Sequence, residues 1–201
     1  MANKNSGSKT ILIVVAVVLG ILLIGGIIFG AGCWWLYKVA EKTSEATTTP
    51  TSTSTENWKT YQNSRYGFSI KYPQTFASQE SINGDGVTLT SSSPAITIVA
   101  TGVFNSPNES LDDFMTATKR NLMQEQSNAK ETSSRDATLG GIPAKESVWQ
   151  FVNSNGNSMV VDLVSALKKG NFYILQMVIA ESDYSEYQQM FGQVLSSFSL
   201  K

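Results

Sequence analysis

The chain has 201 residues, 41% of them hydrophobic, and a formal net charge of −1. That balance excludes a nucleic-acid binder, which would show a basic patch or stripe. It contains no histidine, the commonest general base and neutral metal ligand, and its single cysteine, Cys33, permits no intramolecular disulfide.

Met1 to Thr10 is polar, with Lys4, Lys9 and the terminal amine. Under the positive-inside rule this end stays cytoplasmic, although Lys38 and Lys42 flank the other end of the next segment. Ile11 to Tyr37 carries no charge. As a helix it would measure roughly 40 Å, more than the roughly 30 Å of a bilayer core. Gly20, Gly25, Gly26, Gly30 and Gly32 would weaken a helix in water, but lipid offers the backbone no competing partner. The segment is expected to be a transmembrane signal anchor. A lipoprotein signal lipidated at Cys33 is the alternative. Gly30, Ala31 and Gly32 supply the small residues of a lipobox, but its large aliphatic residue is missing. Trp34, Trp35 and Tyr37 read as an interfacial aromatic belt. A type IV pilin-like stem would need an early glutamate, and none is there.

From residue 38 to 56 the chain becomes a Ser/Thr/Pro-rich stalk. Thr43 to Thr55 is almost entirely Ser, Thr, Pro and Ala, cannot bury apolar area, and would reach about 45 Å when extended. The domain is expected over residues 57–201. Phe68, Ile70 and Tyr72 alternate with Ser69 and Lys71, which predicts a half-buried strand stopped at Pro73. Asn83 to Gly86 turns the chain into a strand at Val87 to Thr90, and Ser91 to Pro94 turns it again into Ala95 to Phe104.

Ser110 to Ser127 is predicted as a helix. Leu111, Phe114, Met115, Thr118, Leu122 and Met123 share one face, and Ser110 with Asp113 forms a capping box. A strand is expected over Ser133 to Leu139. After the turn at Gly140 to Pro143, hairpins follow over Ala144–Val152, Met159–Leu167 and Phe172–Ala180. The last of these is apolar on both faces apart from Gln176, which marks a central strand covered on two sides. A final helix is expected near Asp183, with Glu186 completing a second capping box. It presents Tyr187, Met190, Phe191, Val194, Leu195 and Phe198. These elements predict a layered α+β domain.

The candidate sites have plainer readings. Asp85 lies in an Asn-Gly-Asp-Gly turn without the distal glutamate of a calcium loop. Asp112 and Asp113 point about 100° apart on a helix and serve capping better than acid–base chemistry. A serine nucleophile would need a lysine base, and no local arrangement identifies one. Asn108-Glu109-Ser110 is a formal glycosylation sequon. Trp58, Tyr61, Tyr66, Phe68 and Tyr72 fit core packing better than a ligand groove. No catalytic, cofactor or metal residue is assigned.

Tyr61-Gln62-Asn63 with Tyr66 to Pro73, then Gly140 to Ala144, then Tyr184, Tyr187 and Phe191 with Val194 to Phe198, occur in an order that resembles the PsbP-like family. That fold is shared with Mog1 and several bacterial lipoproteins. The resemblance covers the chain from about residue 57 onward. It implies an antiparallel sheet of about six strands sandwiched by helices, here preceded by one transmembrane helix. It also implies a non-enzymatic accessory or binding role on the extracytoplasmic side. The expected partners are the membrane, crossed once, and a protein, with a lipid, glycan or metal ion as the small-ligand alternative.

Overall fold

The computed structural model describes residues 57–106 and 108–201. The segments expected as anchor (Ile11–Tyr37, with Cys33) and stalk (38–56) lie outside the described residues. Among the described residues no helix is long and apolar enough to cross a membrane.

The strands are β1 (Trp58–Asn63), β2 (Phe68–Pro73), β3 (Ala77–Glu80), β4 (Gly86–Ser92), β5 (Ala95–Phe104), β6 (Lys130–Leu139), β7 (Ile142–Val152), β8 (Ser158–Lys168), β9 (Asn171–Ala180) and β10 (Ser199–Leu200). The helices are α1 (Leu111–Glu125) and α2 (Glu181–Ser196). A seven-stranded sheet has the order β3-β4-β5-β9-β8-β7-β6, and β1-β2-β10 forms a second sheet of three. All pairings are antiparallel.

The small sheet and α2 cover one face of the large sheet. Phe68 and Ile70 of β2, Phe191 and Val194 of α2, and Leu89, Ile98, Val164 and Leu175 of the large sheet share one core. On the opposite face, Phe114 and Leu122 of α1 pack with Trp149, Val161, Leu163, Phe172 and Ile174. Phe114 stacks on Phe172 with ring centroids 4.2 Å apart. Because side chains alternate along each strand, the large sheet serves both cores at once. Its central strand is β9, as the run of apolar residues predicts.

Several expectations need correction. The main sheet has seven strands rather than about six, and the three-stranded sheet stands apart from it. β3 escapes a periodicity reading because all four of its residues are exposed. β6 begins at Lys130 rather than Ser133. It is an edge strand, largely exposed, with a register shift between Glu131 and Ser133. The α1 cap forms as expected, with the Asp113 amide donating to Ser110 Oγ at 3.1 Å. The helix ends at Glu125, and Met123 leaves the apolar face to stand 50% exposed.

The second capping box does not form. β9 runs straight into α2 at Glu181, with Ala180 as a cap that makes no side-chain bond. Asp183 accepts from Ser182 Oγ instead, at 3.2 Å.

The β1–β2 turn, the β3–β4 turn and the end of β5 meet at one end of the domain. Asn63 Nδ2 donates to the Gly84 carbonyl at 2.9 Å, and the Gly102 amide donates to the Asp85 carbonyl at 2.9 Å. Gly102 permits this closeness, since a Cβ there would fall 2.4 Å from the Tyr66 ring. Lys201 ends the chain at this same end, its amide bonded to the Gly67 carbonyl at 2.8 Å. Trp58 lies opposite Pro73 at the other end, where the chain comes into the domain.

Candidate functional site

The helical repeat places Asp112, Met115, Thr116, Lys119 and Leu122 along one flank of α1. That flank overhangs the outer strands of the large sheet. Glu131 of β6 stands opposite Trp149 of β7, and Ser147 stands opposite both Ser134 and Leu163. Together they enclose a groove of about 260 Å³.

Its apolar wall is Met115, Leu122, Leu163 and Trp149, the last only 2% exposed. Its polar wall is a chain of bonds. The Trp149 indole Nε1–H donates to Ser147 Oγ, and Ser147 donates to Glu131 Oε1 at 3.0 Å. Glu131 pairs through its other oxygen with Lys119, whose ammonium lies 5.6 Å from the Trp149 ring centroid. At the rim Lys145 pairs with Asp136 at 2.7 Å and with Asp112 at 3.4 Å. Hydrogen bonds to those two carboxylates push the Lys145 pKa up, so the amine is charged at neutral pH.

A second polar cluster lies on the opposite face of the sheet. Tyr184 of α2 donates its hydroxyl to Asp162 Oδ2 of β8 at 2.8 Å. Arg135 of β6 forks onto Glu146 of β7 with contacts of 2.9 and 2.8 Å. Asp162 is 2% exposed, and its Oδ1 has no hydrogen-bond partner among the described residues. Burial, with Glu146 nearby, raises its pKa to about 6 against the lowering by the Tyr184 hydrogen bond and Arg135. Burial also raises the Tyr184 pKa.

The residues singled out from the sequence do not converge. Asp85 sits in a turn and pairs with Arg65 at 2.8 Å. Asp113 is the capped residue of α1, whereas Asp112 reaches the groove rim. Asn108 is exposed with φ +55°, and Ser110 Oγ is committed to the helix cap. Phe68 and Tyr72 are buried, and Trp58, Tyr61 and Tyr66 pack against the same core, as the packing reading expects. Lys119, Glu131, Lys145 and Trp149 went unremarked as a group, because they become neighbours only through helix packing and strand register.

The layered sheet and its two helices define a domain with the PsbP/Mog1 fold. The PsbP family model matches residues 56–200, and the chain belongs to the PsbP family. The fold is similar to cyanobacterial PsbP (CyanoP) of Synechocystis sp. PCC 6803, at 10% identity and a TM-score of 0.52, covering 80% of this chain and 99% of that one. It is similar to the Ran-binding protein Mog1p of Saccharomyces cerevisiae, at 10% identity and a TM-score of 0.53, covering 72% and 95%. It is also similar to LpqN of Mycobacterium tuberculosis, described as involved in cell envelope biogenesis. That match has 14% identity and a TM-score of 0.53 and covers 72% and 90%. A comparison with curated proteins finds no match.

Proposed function

We propose that the chain is a single-pass membrane protein whose PsbP domain sits on the extracytoplasmic side. There it binds a protein as a non-enzymatic accessory part of an envelope complex. The observation that carries this reading is the order of parts: a charge-free apolar segment, a Ser/Thr/Pro stalk, then a PsbP domain. Such a layout positions a domain at a distance from a membrane. The Ran-binding description of Mog1p supports a protein-binding use of the fold.

The turn-rich end away from Trp58 is the contact surface in this reading. Ile82 there is 108% exposed and Phe104 is 62% exposed, a cost in water that a partner would remove. Protease added to intact cells is expected to release the domain. Failure to release it sinks the topology. A photocrosslinker at Ile82 or Phe104 is expected to trap a protein that Ile82→Ser weakens. If crosslinks form only from α1 or α2, the contact lies elsewhere. The Cys33→Ala variant is expected to stay in the membrane fraction. Its loss to the soluble fraction would favour lipidation at Cys33 over the signal anchor.

A further inference from the structure

The groove under α1 has features that a protein-docking end does not explain. Its lining carries two ammonium groups, Lys119 and Lys145, and two carboxylates, Asp112 and Glu131. Each cation is already engaged: Lys119 by Glu131, and Lys145 by Asp136 and Asp112. An anionic ligand would be repelled by the carboxylate paired with each lysine, and a cationic ligand by the lysine paired with each carboxylate. A hydroxyl group meets neither repulsion. It accepts from an ammonium and donates to a carboxylate at the same oxygen, leaving the pairs in place. Ser134 and Thr116 add hydroxyls of the same dual character to the lining. The apolar wall suits the carbon face of a ring. At about 260 Å³ the groove is smaller than the roughly 300–1,000 Å³ pockets that bury drug-sized molecules, and it fits one ring rather than a chain.

We propose that the groove between α1 and the β6–β7 hairpin binds a neutral polyhydroxylated ring, a single sugar residue of a glycan. The ring's hydroxyls bridge Lys119 to Glu131 and Lys145 to Asp112, while its carbon face lies against Met115, the apolar lining residue that is only partly buried. This site is separate from the turn-rich end and needs neither the membrane nor the protein partner.

The test uses the full chain in lipid nanodiscs, away from glycoside detergents, and titrates three sugars by calorimetry. They are N-acetylglucosamine, which is neutral, glucosamine, which is cationic, and glucuronic acid, which is anionic. The neutral sugar is expected to bind in the millimolar range, with the two charged ones at least 5-fold weaker. Glu131→Gln and Thr116→Val are each expected to weaken the neutral sugar about 5-fold. Thr116 is exposed, so its variant keeps the fold and isolates the contact. No binding of the neutral sugar at 100-fold excess over the protein, up to roughly 0.1 M, overturns the proposal, since that excludes affinity in the millimolar range. So does equal or tighter binding of a charged sugar, or neutral binding that both variants leave unchanged. Crosslinking at Ile82 reads the partner separately, so failure of one leaves the other standing.

Discussion

Asp162 is the buried acid of the second polar cluster, 2% exposed and with one carboxylate oxygen unbonded among the described residues. Its neighbours are Tyr184 from α2, Glu146 from β7 and Arg135 from β6. In the folded state its pKa is about 6, against 3.8 unfolded, so folding takes up a proton between those values. The stabilisation from holding that proton is full below about pH 4 and is lost as pH rises through about 6. A gap of about two units corresponds to roughly 3 kcal/mol. Asp162→Asn keeps an acceptor for the Tyr184 hydroxyl and removes the ionisation. It is expected to be about 3 kcal/mol more stable than the parent at pH 7.5 and only about 1 kcal/mol more stable at pH 4.5. Urea unfolding at the two pH values measures this, and an equal offset at both would show that ionisation is not the cause. Nothing in the sequence around Asp162 announces this. Val161 and Leu163 beside it read as strand, but whether an aspartate there meets water depends on α2, which lies across the sheet.

Elements were legible where their pattern is local. The cap of α1 is written within four residues, and Ser110→Ala is expected to cost about 1 kcal/mol. The same signature at Asp183 and Glu186 fails because β9 leads into α2 without a loop in which a cap could turn. Glu186→Ala is therefore expected to change stability by less than about 0.5 kcal/mol in thermal melts, as an exposed substitution does. A loss close to that of Ser110→Ala would mean that a cap forms after all. β9 was legible from its unbroken apolar run. β3 was not, since an exposed strand of four residues carries no alternation. β10 is shorter still and forms only because Ser199 and Leu200 find Ser69 and Phe68.

At the scale of the molecule, the family was legible in the order of weak motifs, each of which encodes a turn or a packing face. The groove was not legible, because it joins residues of α1, β6 and β7 whose charges look like ordinary solvated surface in the sequence. The division of the interior by the large sheet has an energetic consequence. Phe114 and Phe191 are buried in different cores on opposite faces. Phe114→Ala and Phe191→Ala are each expected to cost about 3–5 kcal/mol. The pair should add within about 0.5 kcal/mol. Double-mutant denaturation checks this, and a coupling above 1 kcal/mol would show that the sheet transmits repacking between its faces.

Trp58 lies at one end of the small sheet and Lys201 at the other, with β2 hydrogen-bonded between β1 and β10. Force applied between Trp58 and Lys201 therefore runs along the strands. It draws β1 and β10 in opposite directions past β2, loading the hydrogen bonds of each ladder in parallel shear. A strand peeled sideways would surrender the same bonds one at a time at far lower force. Pulled by these two ends, the domain is expected to yield at a higher force than when β1 alone is peeled away sideways.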